Sequence, residues 1–163
     1  VFVANHLTEF DIYILSCGFP KYCTITVKAE LKTVPLLGWN LVLHDALFID
    51  RKNPAKTLRS FRAAGEQIRQ QGTSAYLFCE GQRSYMQEPG MLPFKKGAFH
   101  LAIQAQVPIV PVVIQNYSNL LDKDRTIFKR GRVVLKVLDP IPTSGMTEHD
   151  VDDLVMLTRE RML

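Results

Sequence analysis

The chain has 163 residues, 47% hydrophobic and 22% charged, which is the balance of one globular domain with a substantial core and not of a disordered segment. Twenty Lys and Arg against sixteen Asp and Glu leave a net charge of +4, which weakly favours an anionic partner but is too small to argue for nucleic acid. Three cysteines in no framework spacing (Cys17, Cys23, Cys79) suit a reducing compartment, and no apolar run approaches the roughly 18 residues that span a bilayer.

The chain begins without Met and inside an apparent core strand, so the expectation is a slice of a longer protein in which residues 1–163 form one domain. Val1 to Ala4 reads as a buried strand. It leads into Asn5-His6-Leu7-Thr8-Glu9-Phe10-Asp11, where Thr8-x-x-Asp11 has the form of a capping box opening a helix. His6 then sits on the strand-to-helix turn, where a carboxylate one turn into the helix can fold back toward the imidazole. A histidine oriented by a carboxylate is the minimum apparatus of a general base. The plainer reading, a capping aspartate beside a loop histidine, fits the local residues equally well.

Gly18-Phe19-Pro20 breaks this unit, and Tyr22 to Val27 reads as a second strand, followed by a helical turn over 28–32 stopped by Pro35. Val34 to Leu43 is apolar on nearly every side. A core segment is the expectation for most of it. The alternative is an interfacial surface, with Trp39 as anchor and Lys28 and Lys32 facing anionic headgroups. Ala46 to Arg51 is a strand ending in charge. Asn53-Pro54 starts an amphipathic helix through Leu58, Phe61, Ala64 and Ile68 to Gly72.

Ser74 to Phe78 is the next strand, running straight into Cys79-Glu80-Gly81-Gln82-Arg83-Ser84, where the glycine permits close backbone approach and both charge signs stand at a strand's end. Lys95 and Lys96 precede a helix from Ala98 to about Gln106, a placement suited to phosphate. Val107 to Ile114 reads as a buried strand whose prolines suggest an edge or a bulge. A last strand spans Val133 to Leu138, and Thr147-x-x-Asp150 caps a final helix through Val151, Leu154 and Val155. Asn116-Tyr117-Ser118 matches a glycosylation sequon, a triplet too frequent to credit. The four histidines have no metal-ligand spacing with Cys or Asp, so no metal site is expected. Alternating strands and helices indicate an α/β fold with a mixed, mainly parallel central sheet flanked by helices.

Four stretches occur in an order that resembles the glycerolipid acyltransferases: Asn5-His6-x4-Asp11, then Gly38 through Phe48-Ile49-Asp50-Arg51, then Glu80-Gly81-x-Arg83-Ser84, then Val107-Pro108-Ile109-Val110-Pro111. The likeness covers essentially the whole chain. It is strongest toward eukaryotic lysophosphatidic acid acyltransferases, through Phe19 to Cys23 and Leu92 to Leu101.

The resemblance implies a glycerol-3-phosphate acyltransferase-like fold at a membrane surface, in or on the endoplasmic reticulum. It implies transfer of a fatty acyl group from acyl-CoA, a substrate and not a cofactor, to the free hydroxyl of a lysophospholipid. His6 would be the general base and Asp11 its orienting carboxylate. Arg51 and Arg83 would bind the acceptor phosphate, with Glu80 and Gly81 completing that pocket and Lys95 and Lys96 assisting with phosphate. Gly38, Phe48 and Pro111 would shape the pocket, Pro111 from behind.

In that family the third motif usually reads Phe-Pro-Glu-Gly-Thr-Arg. Here Cys79 stands for the proline, which is expected to loosen the backbone before Glu80, and Gln82 for the threonine. Two rivals remain on sequence grounds: a hydrolase with Cys79 as nucleophile paired with His6, and a non-catalytic lipid-binding module of the same shape.

Overall fold

The computed structural model describes residues 1–50, 54–122 and 126–163, without the side chains of residues 54–58. In chain order the elements are β1 (Phe2–Ala4), α1 (Asp11–Ser16), β2 (Cys23–Lys28), a 3-10 turn (Ala29–Thr33), α2 (Leu37–Leu43), β3 (Leu47–Ile49), α3 (Pro54–Gln71) and β4 (Ser74–Phe78). There follow α4 (Gly97–Ala105), β5 (Val110–Ile114), a small antiparallel hairpin of β6 (Leu121–Asp122) and β7 (Ile127–Phe128), β8 (Leu135–Val137), a 3-10 turn (Glu148–Asp150) and α5 (Val151–Met162).

Six strands form one sheet in the order β3-β2-β4-β1-β5-β8, parallel throughout except for β8, which runs antiparallel to β5. The period of two along each strand sorts side chains to two faces. Val3, Ala75, Leu77 and Cys79 go to a core shared with α3, α4 and α5, whose centre holds Phe99 and Leu101 without solvent contact. Ala4, Tyr76, Val112 and Ile114 go to a second core with Leu7, Leu15 and Tyr117. The helix α4 is apolar on most of its surface because it is covered by the sheet, α3 and α5 together.

The mixed, mainly parallel sheet and most element positions match the sequence reading, and three expectations change. The stretch from Val34 to Leu43 is not core. Within α2 only Gly38 and Leu41 are buried, while Trp39 is 68% and Leu43 81% exposed. Strand β5 is internal, and Pro111 sits inside it opposite Val3. Its carbonyl accepts from Leu138 N at 2.9 Å, so the donor it lacks falls on the β8 side at the end of that ladder, leaving the pairing with β1 intact. The hairpin of β6 and β7 carried too few residues for its pattern to register.

Register decides where chemistry can occur. Ala4 pairs with Phe78 on one side and Val112 on the other, so the chain leaving β1, β4 and β5 emerges at one edge. That edge is the carboxyl end of parallel strands, where open α/β sheets collect ligands. The residues delivered there are Asn5 and His6, Cys79 to Arg83, and Gln115 to Ser118.

Candidate active site

Asn5 closes the end of β1 against β5. Its amide accepts from Ile114 N at 2.8 Å and donates to Ile114 O at 3.0 Å, substituting for ladder bonds where the strand stops. The next residue, His6, stacks flat on Phe78 at 3.8 Å between ring centroids, leaving its side chain 13% exposed.

Asp11, in the first turn of α1, is fully buried. Its Oδ2 accepts from His6 Nδ1 at 2.6 Å, Leu7 N at 2.7 Å and Thr8 N at 3.2 Å. Its Oδ1 accepts from the Tyr117 hydroxyl at 2.6 Å. A carboxylate accepts about four hydrogen bonds, two at each oxygen, and here three donors share Oδ2 while one reaches Oδ1. Because Asp11 acts only as acceptor, Nδ1 carries the imidazole proton and Nε2 holds the lone pair, as this network assigns it.

Both readings of the turn are therefore realised by one oxygen. Asp11 holds the backbone as a capping residue and orients His6 through the same Oδ2. The Thr8 half of the predicted capping box differs. Its hydroxyl accepts from Phe10 N at 3.1 Å and meets Tyr117 at 2.7 Å, and it does not bond Asp11 N.

Glu80 is 1% exposed and brackets this turn against the loop that follows β4. Oε1 accepts from His6 N and Oε2 from Leu92 N, each at 2.7 Å. Burial pushes its carboxyl above the usual glutamate value, against the two N–H bonds, which act in the opposite sense. Gly81 has φ +71°, and a Cβ there would lie 2.9 Å from Lys95 Cγ, so this position needs glycine on both counts. Ser84 N and Tyr85 N donate to His6 O and Leu7 O at 2.8 and 3.1 Å, pinning the loop along the histidine turn. Arg83 lies at the rim, half exposed, with Nη1 3.2 Å from Glu9 Oε1, which also accepts from the Tyr85 hydroxyl at 2.6 Å.

The remaining sequence candidates are spread more widely. Lys95 is held beside Gly81, its N–H donating to Cys79 O at 2.6 Å. Lys96 is directed elsewhere: Nζ pairs with Asp152 of α5 at 2.5 Å. Gly38 lets α2 lie on the preceding 3-10 turn, since a Cβ would come 2.1 Å from Lys32 O. Phe48 is on the edge strand β3, under the Lys32 ammonium at 5.6 Å. Three strand positions separate that edge from β1, on the order of 14 Å at the usual interstrand spacing. Pro111 lies in the sheet itself. Arg51 and the predicted helix cap Asn53 fall outside the described residues.

Cys79 departs from two expectations. Its thiol belongs to the core on the α3 and α4 face, while Phe78 carries His6 on the other. The thiol donates to Ala4 O at 3.1 Å, and burial raises its pKa well above the ordinary cysteine value, opposite to what a nucleophile needs. Nor is the backbone loosened. Cys79 N donates to Ala4 O at 2.9 Å, a bond that proline could not make.

Tyr117 was missed by sequence reasoning. It follows β5, 106 positions from Asp11, and only the sheet order brings them together. Nothing in a single Tyr within Asn116-Tyr117-Ser118 signals this. Asn116 is also structural, donating to Met86 O at 2.8 Å and Glu88 O at 3.1 Å. A cavity of about 560 Å³ lies against the same turn, bordered by Leu7, Phe10, Met86, Tyr117, Ile127 and Phe128.

Among the described residues no helix is long and apolar enough to cross a membrane, and no group of three His, Cys, Asp or Glu side chains could hold a metal ion.

A family model described as Acyltransferase matches residues 1–115. A protein of Schizosaccharomyces pombe named as an uncharacterized acyltransferase is 44% identical over 162 residues, 99% of this chain and 58% of that protein. The 1-acyl-sn-glycerol-3-phosphate acyltransferase of Saccharomyces cerevisiae is 39% identical over 163 residues, 100% of this chain and 54% of that protein. The chain thus spans about half the length of the curated relatives it matches. The crystal structure of the 1-acyl-sn-glycerophosphate (LPA) acyltransferase PlsC from Thermotoga maritima has a TM-score of 0.72 to it at 29% identity, over 98% of this chain and 63% of that one. Since the family match takes in every strand from β1 to β5 and the turns that carry His6, Asp11 and Glu80, the chain belongs to the acyltransferase family.

Proposed function

We propose that the chain transfers a fatty acyl group from acyl-CoA to the free hydroxyl of lysophosphatidic acid, giving phosphatidic acid and free CoA. The observation that carries this is the His6 Nδ1 to Asp11 Oδ2 bond of 2.6 Å at the carboxyl edge of the sheet. A hydroxyl is a poor nucleophile at neutral pH. Nε2 of His6 takes its proton as the oxygen attacks the thioester carbonyl, the new C–O bond forms, the C–S bond breaks, and the departing CoA thiolate takes the proton back from the imidazolium. Asp11 keeps the useful tautomer and stabilises the imidazolium. A base so placed typically contributes about 10²–10⁴ in rate. The acceptor attacks directly, so no acyl-enzyme and no cofactor is required.

We assign the acceptor phosphate to Arg83, a reading supported by its half-exposed position at the rim, with Arg51 as the proposed second cation. Glu80 and Gly81 shape this pocket by holding the loop, and Lys95, beside Gly81, is the nearer of the two lysines. The substrate assignment is supported by the printed function of the yeast relative and of the bacterial structure. The membrane surface as a partner is supported by the outward apolar residues Ile12 and Tyr13 of α1 and Trp39 and Leu43 of α2, an arrangement suited to an interface. We place the domain on the endoplasmic reticulum with its site in a reducing compartment.

Thiol release from acyl-CoA against a panel of lysophospholipids tests the reading. Lysophosphatidic acid is expected to give the highest kcat/KM. A faster rate with lysophosphatidylcholine would move the assignment to another headgroup, and lysophospholipid binding with no thiol release would leave a lipid-binding module.

A further inference from the structure

We propose that Tyr117 is a positioning residue for the His6–Asp11 pair, holding Asp11 Oδ1 so that Oδ2 stays aimed at the imidazole. The inference rests on the reading of His6 as general base and adds a residue that lies beyond the segment 1–115 that the family model matches. Asp11 has no solvent contact, and Tyr117 is itself buried, so water does not substitute for the hydroxyl. Three donors crowd Oδ2, whereas Oδ1 has the Tyr117 hydroxyl at 2.6 Å. Without it, a buried carboxylate oxygen is left unpaired and the carboxylate plane is held from one side only.

The proton directions follow. The single hydroxyl proton of Tyr117 is spent on Asp11, so the 2.7 Å contact with Thr8 is Thr8 donating to Tyr117. Thr8 Oγ1 accepts in turn from Phe10 N at 3.1 Å. A relay of donors thus runs from the start of α1 through Thr8 and Tyr117 to Asp11, each bond polarising the next. This couples β5, which delivers Tyr117, to the turn that delivers His6. Burial foremost, and then the bond to Asp11, make the Tyr117 hydroxyl hold its proton, against the smaller opposite effect of Thr8, so the tyrosine remains a donor throughout the working pH range.

Tyr117→Phe removes one oxygen atom and nothing else. The expected result is a fall in kcat of about tenfold, the scale of one hydrogen bond to a charged group, with KM for both substrates within about twofold. The acidic limb of the kcat/KM profile, where the base becomes protonated, moves to higher pH, because an Asp11 with one donor fewer directs more of its charge to the imidazolium. Among the described residues Glu80 also acts electrostatically on this pair, and Tyr76, kept neutral by burial, lies near Asp11; both stay in place, so comparison with the parent isolates the hydroxyl. The low-field proton resonance of His6 Nδ1–H should also shift, a readout independent of turnover. In an Asp11→Asn background, adding Tyr117→Phe should cost less than about twofold in kcat, where a merely structural hydroxyl would cost its full amount.

Parent kcat, pH profile and imidazole resonance in a folded Tyr117→Phe protein would overturn the proposal. If that variant does not fold, Thr8→Val removes the donor behind Tyr117 while keeping its ring and its bond to Asp11. It is expected to lower kcat a few-fold with the same pH shift, and no change there is equally fatal. His6→Ala run alongside separates the two ideas: activity without His6 sinks the base, whereas loss with His6→Ala and none with Tyr117→Phe sinks only the role of Tyr117.

Discussion

Replacing Glu80 by Gln should destabilise the chain by about 3 kcal/mol, and the reason is geometric. Both carboxylate oxygens accept backbone N–H groups at 2.7 Å, from His6 and from Leu92, in a site 1% exposed. Neither donor can turn round, so one end of the Gln amide must point its NH₂ at a buried N–H. The loss is one hydrogen bond, about 0.5–1.5 kcal/mol, together with an unpaired buried donor at about 1–3 kcal/mol, and neither requires the carboxyl to be ionised, since a protonated oxygen keeps a lone pair that the Gln NH₂ lacks. For a chain of this size about 3 kcal/mol lowers Tm by about 6–12 °C.

The pH dependence has a definite sign. Burial raises the folded-state pKa of Glu80 above the ordinary 4.5. Its contribution is then fully present below the unfolded value and is lost as pH rises through the folded one. The stability gap between parent and Glu80→Gln should therefore be widest in acid and narrow as pH rises. Urea titrations from acid to neutral pH measure it, provided the m-value is unchanged. A variant within about 0.5 kcal/mol of the parent, or a gap that widens with pH, would refute the reasoning.

Gly38→Ala should cost about 1–3 kcal/mol by lifting α2 from its 3-10 turn, because the clash at 2.1 Å is with the Lys32 backbone and not with a movable side chain. The melt, with Trp39 as the single tryptophan reporter beside it, checks this. Under native conditions a thiol reagent should label exposed Cys17 readily and buried Cys79 only on unfolding, and Cys79→Ser should retain acyl transfer. Arg83→Ala and Arg51→Ala should each raise KM for a phosphate-bearing acceptor more than KM for acyl-CoA, and equal effects on both substrates would remove the phosphate assignment. Arg83→Ala should barely alter Tm, since an exposed ion pair with Glu9 is worth at most about 1 kcal/mol.

What the sequence disclosed and what it hid divide along physical lines. Local signals carried far. Apolar runs at Val1 to Ala4 and Ser74 to Phe78 became adjacent parallel strands, and Thr147 with Asp150 forms a full capping box ahead of α5. The histidine turn was legible because His6, Thr8 and Asp11 are neighbours in the chain.

Apolar content proved ambiguous where burial depends on what lies above an element. The stretch from Val34 to Leu43 read mostly as core, yet Trp39 and Leu43 face outward. Strand direction was hidden too: β8 has no pattern that distinguishes antiparallel from parallel, and three residues leave little to read. Most of what completes the site is tertiary. Glu80 was assigned to a pocket, but which amides it would bind depends on β4 lying beside β1. Tyr117 became visible only once β5 lay on the other side.

The central claim is that His6, oriented by Asp11, removes the acceptor's proton. Thiol release from acyl-CoA with lysophosphatidic acid, parent against His6→Ala, tests it most directly. The expected result is a loss of at least about 10²-fold in kcat with Tm and acceptor binding retained. A folded His6→Ala protein that keeps its rate to within about tenfold would contradict the account.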